Sequence, residues 1–284
     1  MTSLFPALQA VLSEEHVDLA RAALTIGRIE CPRLDAAPAM RELDRLAGRV
    51  RAELDATPLA PVRTRIAAIN RVLYDLEDFR GNVDHYDDVR NSLLHVVVER
   101  RLGIPISLAA VYMTVARKAG LEVFGVGFPG HFLLRVPADA GDDGADAIII
   151  DPFDAGRELD DLDLRRLLAR HRGEMPWNDA LLLPCSTRQI VVRMLNNLKR
   201  IYVAGRSFPQ AWLTTDLLVA VEATDPEDIR DRGLLAYHLG DFAGALHNLE
   251  AYVQMTGQVR EDNEERTRLW EHLTTLRRRV ASMN

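Results

Sequence analysis

The apolar positions of this chain change their period along its length, and each change marks an element. Leu19, Ala22, Ala23 and Ile26 share one helical face, and Leu43, Leu46, Val50 and Leu54 recur at intervals of three and four. Pro32 and Pro38 separate the two helices this predicts, and both stripes read as packing surface. Pro58 and Pro61 interrupt the pattern before Val62, Ile66, Ile69, Val72, Leu73 and Leu76 renew it. A polar stretch from Asp78 to Asn91 follows, with a turn signal at Gly81-Asn82. Leu93, Leu94, Val96, Val97 and Val98 then predict a short buried helix that Gly103 ends. Pro105 suits the first position of a new helix, where its missing N–H has no intrahelical partner to lose. That helix runs to Gly120 and is apolar almost all round, as expected of a helix inside a core.

The period then shortens. Val123 to Gly127, Phe132 to Val136 and Ala147 to Ile150 read as strands, the last two joined by the Gly- and Asp-rich loop from Pro137 to Asp146. An antiparallel hairpin brings its two outer ends together. His131 lies just before the first arm and Asp151 just after the second, so the pairing predicts an imidazole beside a carboxylate. A charged helix from Asp160 to Arg172 follows, then a segment punctuated by Pro176 and Pro184.

The remainder is helical and repeats. Phe208 and Phe242 lie 34 residues apart, as do Ala211 and Ala245, which is the tetratricopeptide period. Asp225-Pro226 falls where one unit ends, and Gly233, Tyr237, Gly240, Asp241 and Phe242 fit the second unit. Tyr202, Tyr237 and Asn197 are the residues this reading places on a binding surface of the repeats. The expected division is a helical segment over 1–60, a mixed core over 61–183 and a helical repeat domain over 184–284.

Composition narrows the function. A chain of 284 residues, 48% hydrophobic and 27% charged, is expected to bury a core in two or three packed units. A net charge of −7 opposes a broad footprint for phosphate backbones, so neither nucleic acid nor an anionic membrane is an expected partner. The first twenty residues carry Glu14, Glu15, His16 and Asp18 and lack the pattern of a signal peptide. No apolar run approaches the roughly 18 residues of a membrane span. Cys31 and Cys185 are too few for a disulfide framework, and a reducing cytoplasm is the expected location.

The chemistry centres on residues 100 to 153. An acyl-transfer site needs a nucleophile, a base that takes its proton and a group that orients the base. Here the helix beginning at Pro105 supplies an N-terminus, His131 a base and Asp151 an orienter, but no cysteine stands at the helix start. Ser107 is the one substitute, and the favoured reading is that its hydroxyl bonds the backbone near the helix start. Cys185 reads as a small hydrophobe rather than a relocated nucleophile. His85 lies in a polar loop and His95 in an apolar helix. Asp84, Asp87 and Asp88 read as a solvated loop rather than a cation site, and a zinc site at His131 and Asp151 lacks a ligand spacing. No metal or cofactor is expected.

The run Arg100-Arg101-Leu102-Gly103-Ile104-Pro105-Ile106-Ser107-Leu108, with Phe128-Pro129-Gly130-His131-Phe132-Leu133 and Ile150-Asp151-Pro152-Phe153, closely resembles the SirB-type branch of the transglutaminase-like superfamily. Arg193-Met194-Leu195-Asn196-Asn197-Leu198-Lys199 and Arg230-Asp231-Arg232-Gly233 resemble it too, and the likeness covers roughly residues 60 to 255. It implies an α+β fold: a papain-like core, a helix packed on an antiparallel sheet, followed by tetratricopeptide repeats. The superfamily's nucleophilic cysteine would fall at Pro105 or the next residue or two, while His131 and Asp151 match its histidine and aspartate. Two functions follow as expectations. One is a non-catalytic protein- or peptide-binding or regulatory module. The other is an amide hydrolase or acyltransferase in which Ser107 attacks, His131 takes the proton and Asp151 orients the imidazole. A metal-dependent hydrolase ranks below both.

Overall fold

In the computed structural model, which describes residues 4–55, 57, 60–139, 147–173, 175–222, 225–256 and 264–281, one long apolar helix organises the chain's first compact unit, residues 10–194. This helix, α6 (Pro105–Lys118), is preceded by α1 (Phe5–Leu12), α2 (Leu19–Ile26), α3 (Ala37–Leu54), α4 (Val62–Asn70) and α5 (Leu94–Arg100). Its residues from Pro105 to Leu108, Ala109 to Tyr112 and Thr114 to Ala116 are all buried, which explains the absence of a polar stripe in its sequence. Helices α2, α3, α4 and α5 pack around it.

A four-stranded antiparallel sheet covers another side of α6. Its order is β3 (Phe124–Val126), β4 (Leu133–Pro137), β5 (Ala147–Asp151) and β6 (Arg157–Glu158); β1 (Arg80–Gly81) and β2 (Leu102–Gly103) form a separate parallel pair. Arms β4 and β5 pair with Leu134 opposite Ile150 and Val136 opposite Ile148. Side chains alternate between the faces of a sheet. Leu133 and Ile149 therefore share the face on which Leu164 and Leu168 of α7 (Asp161–Arg172) pack, and Leu134, Val136, Ile148 and Ile150 share the other. Asp160 caps α7 by accepting from the Asp163 amide at 2.8 Å. The helix on an antiparallel sheet is the α+β core the resemblance implied.

By contacts, the helices of the first 60 residues from residue 10 onward fall in one compact unit with the chain up to residue 194. Ion pairs fasten α3 to that unit. Arg101 reaches Glu42 and Glu77, Arg45 reaches the same two carboxylates, and Arg49 also pairs with Glu77. Arg45 and then Arg101 hold the Glu42 carboxyl at about 2 against an ordinary 4.5. Several expectations need revision. Pro38 lies in the first turn of α3 rather than before it. Gly103 does not end α5; Arg101 does, with a left-handed φ of 59°. Gly81 is no turn residue either: it lies in β1, where a Cβ would stand 2.4 Å from the Phe153 ring.

The second unit contains residues 195–284 and the first nine residues. In it, α9 (Phe208–Val221), α10 (Pro226–His238), α11 (Phe242–Thr256) and α12 (Glu264–Ala281) follow α8 (Thr187–Ala204), each of α9 to α12 packing on its neighbour in sequence. Ala211 and Ala245, the small residues of the repeat, are fully buried where paired helices meet. Gly233 serves the same contact, since a Cβ there would lie 2.9 Å from Leu249 Cγ. Asp225 caps α10 through the Glu227 amide at 2.9 Å, with Pro226 at the first helical position. Lys199 binds Asp228 at 2.7 Å and Asp231 at 2.9 Å, tying α8 to α10 within this unit. No described helix is long and apolar enough to cross a membrane.

Candidate functional site

The hairpin places His131 beside Asp151. The imidazole Nε2 lies 2.9 Å from each carboxylate oxygen, and both residues are buried. With Nε2–H donating to the carboxylate, a neutral ring carries its lone pair on Nδ1, the arrangement of an oriented base. Two turns fix this geometry. Before β4, the His131 amide donates to Phe128 O at 3.0 Å while Gly130 takes a φ of +73°. After β5, Asp151 accepts the Phe153 amide at 2.8 Å on Oδ1 and the Gly156 amide at 2.8 Å on its main-chain oxygen.

A second set of side chains holds the turn that follows Asp151. Tyr74 donates its hydroxyl to Pro152 O at 3.0 Å, and Asn70 donates its amide to Gly156 O at 2.9 Å. Tyr112 of α6 donates to Asn70 Oδ1 at 3.1 Å, so the central helix reaches the turn after Asp151 through Asn70. Burial pushes the Tyr74 hydroxyl well above its usual range, with Tyr112 and Asp151 adding to the shift, and burial raises Tyr112 likewise. Both phenols therefore stay protonated and act as donors.

Ser107 occupies the start of α6 but does not engage this pair. It is fully buried, donates its hydroxyl to Asn91 O at 2.6 Å and accepts the Ile104 amide at 3.0 Å. The second contact is the reach-back half of a capping box. Gly103 makes room for it, because a Cβ there would lie 2.7 Å from Ser107 Oγ. No hydrogen bond joins Ser107 to His131 among the described residues. Pro105 and Ile106 complete the helix start, and both are buried without a nucleophilic atom.

His131 has neighbours that spacing did not reveal. His171, from the end of α7, stacks on its ring with centroids 5.9 Å apart and an angle of 22°. Phe153 meets it edge-on at 6.0 Å. Arg193 of α8 donates Nη2 to the main-chain oxygens of Phe128 and His131, and its guanidinium lies 5.5 Å over the Phe132 ring. Burial lowers the guanidinium of Arg193 from its ordinary range. Burial also lowers His171, and the neighbouring His131, Arg170 and Arg172 press in the same direction. A glycine at 130 was the one sequence signal available: a Cβ there would sit 2.5 Å from His171 Cβ.

The other candidates lie apart. Cys185 is half-buried, and its amide donates to Gly125 O at 2.7 Å. It lines a cavity of about 450 Å³ with Met113, Thr114, Phe124 and Ile190, and His131 is not in that wall. His85 is exposed, and His95 is half-buried, with its ring lowered by burial. Asp88 caps the turn at residues 89–91 and pairs with Arg90 and Arg100. Among the described residues no cluster of three His, Cys, Asp or Glu side chains could hold a metal ion. On the repeat domain, Tyr202 is 3% exposed, so its ring belongs to the core rather than to a surface; Tyr237 and Asn197 are half-buried. Tyr237 packs edge-on against Phe242 at 5.7 Å.

A family model described as the transglutaminase-like superfamily matches residues 37–196, and one described as a tetratricopeptide repeat matches residues 198–274. A UPF0162 protein of Xylella fastidiosa is 40% identical over 250 residues, covering 87% of this chain and 86% of that protein. Another UPF0162 protein, from Pseudomonas aeruginosa, is 36% identical over 195 residues and covers 68% of each chain. F-box only protein 21 of Mus musculus is 35% identical over 182 residues, which is 61% of this chain but 28% of that longer one.

Proposed function

We propose that the chain, which belongs to the transglutaminase-like superfamily and groups there with the UPF0162 proteins, is a cytoplasmic protein- or peptide-binding module of the SirB-type branch. In this reading its core is a non-catalytic descendant that keeps a base and an orienter without a nucleophile. The supporting observation is the hydroxyl of Ser107, buried and engaged on both sides by backbone groups of Asn91 and Ile104. To attack an acyl group, Ser107 would have to leave both and reach His131 Nδ1, abandoning the contacts that start the helix. The tetratricopeptide segment supports the binding half, because stacked helix pairs present an extended surface for a partner.

Turnover of a fluorogenic peptide amide, with and without a primary amine as acceptor, tests the core. Wild type, Ser107→Ala and His131→Ala are expected to release product at the same background rate. Release that needs both Ser107 and His131 would overturn the reading in favour of the amide hydrolase or acyltransferase, whose supporting observation is the formed His131–Asp151 pair. Affinity capture by the full chain and by a Phe208→Ala, Tyr237→Ala variant tests the repeats. Partners lost from the variant are expected, and identical partners from both would count against the binding role.

A further inference from the structure

Beside the His131–Asp151 pair, positive charge collects with no ion-paired carboxylate of its own among the described residues. Arg193 carries the most buried of these charges, yet Nη2 donates to two carbonyl oxygens and the guanidinium forms no ion pair among the described residues. Arg170 and Arg172, exposed at the end of α7, have none there either, and His171 stands between them and stacks on His131. The carboxylate of Asp151 is already occupied by His131 Nε2 and the Phe153 amide. Arg101, also half-buried, is by contrast paired with Glu42 and Glu77. With main-chain oxygens as its hydrogen-bond acceptors among the described residues, the Arg193 guanidinium keeps donors that a carboxylate from outside can take.

The guanidinium is half-buried rather than sealed in the core, and its Nη1 packs against Gly127, where a Cβ would lie 3.3 Å away. Gly130 is exposed beside it, and its missing Cβ is what lets His171 approach. A planar guanidinium with unused donors matches the two oxygens of a carboxylate, and a small basic mouth on a chain of net charge −7 suits one acidic side chain better than a nucleic-acid backbone.

We propose that Arg193, with Arg172 and His171 on the rim, forms an acceptor site for a glutamate or aspartate side chain of an acidic peptide segment. This rests on the binding reading above and names its partner's chemistry. The test is fluorescence anisotropy of the full chain with a labelled decapeptide containing four glutamates, against the same peptide with four glutamines. The glutamate peptide is expected to bind at least about tenfold more tightly, and a His171→Ala, Arg172→Ala variant to lose about tenfold with its circular dichroism unchanged. Both replaced side chains are exposed, so folding does not depend on them. Equal affinity for the two peptides, or unaltered affinity in the variant, would overturn the proposal. Displacement by inorganic phosphate at concentrations where acetate does nothing would overturn it too, by reassigning the anion. Binding of the glutamate peptide followed by its His131-dependent cleavage would refute the non-catalytic reading while leaving the acidic-peptide site standing; absent binding would do the reverse.

Discussion

Replacing Ser107 by alanine removes one oxygen from a fully buried position and strands two backbone groups. Asn91 O loses the donor at 2.6 Å, and the Ile104 amide loses the acceptor at 3.0 Å. The methyl group fills nearly the same space, so no cavity opens and the cost is that of unpaired polar groups. Each such buried group costs about 1–3 kcal/mol, which makes the expected loss about 2–6 kcal/mol. Urea unfolding followed by far-UV circular dichroism reads this directly. With a slope of about 2 kcal/mol per molar urea, the midpoint of the transition that includes α6 should fall by about 1–3 M. A shift below about 0.25 M would refute the reasoning, because Ser107 would then contribute little to holding the helix start against residue 91. A nucleophile without structural duty would show that second pattern.

Other perturbations probe separate parts of the account. Arg45 and Arg101 depress the Glu42 carboxyl from 4.5 to about 2, so the stability it provides is present above pH 4.5 and lost as pH falls towards 2. Wild type should therefore lose stability more steeply than Glu42→Gln across that interval, and parallel curves would contradict the ion-pair link between α3 and the core. Gly130→Ala forces a side chain into φ +73° and places its Cβ 2.5 Å from His171 Cβ, for an expected cost of about 2–5 kcal/mol; an unchanged melting temperature would show that the turn can relax. Gly233→Leu should cost about 1–3 kcal/mol by overpacking α10 against Leu249 and Asn248, read as earlier thermal unfolding of the repeat domain, and no change would deny that close approach.

The parts legible in sequence are those governed by local periodicity. Residues Leu134, Val136, Ile148 and Ile150 fall on one face of a hairpin, and from that pairing alone His131 and Asp151 could be brought together. The repeat spacing likewise found Ala211 and Ala245 at helix contacts. Distant packing decided the rest. The end of α5 falls at Arg101, whose guanidinium reaches Glu42 and Glu77 far earlier in the chain. Gly81 looked like a turn because its actual reason, the Phe153 ring, comes from another part of the chain. His171 and Arg193 could not be tied to His131 for the same cause: they reach it from two separate helices, with no spacing rule to connect them. Tyr202 fitted the repeat pattern, but that pattern does not distinguish a buried ring from a surface one.

The central claim is that the nucleophile station of this transglutaminase-like core is architecture. Treatment of the full chain with a serine-reactive fluorophosphonate, followed by peptide mass mapping, tests it most directly. A hydroxyl activated by His131 reacts with such a probe, whereas one donating to Asn91 O does not. The account predicts no adduct on Ser107 in either wild type or His131→Ala. An adduct on Ser107 that disappears in His131→Ala would contradict it.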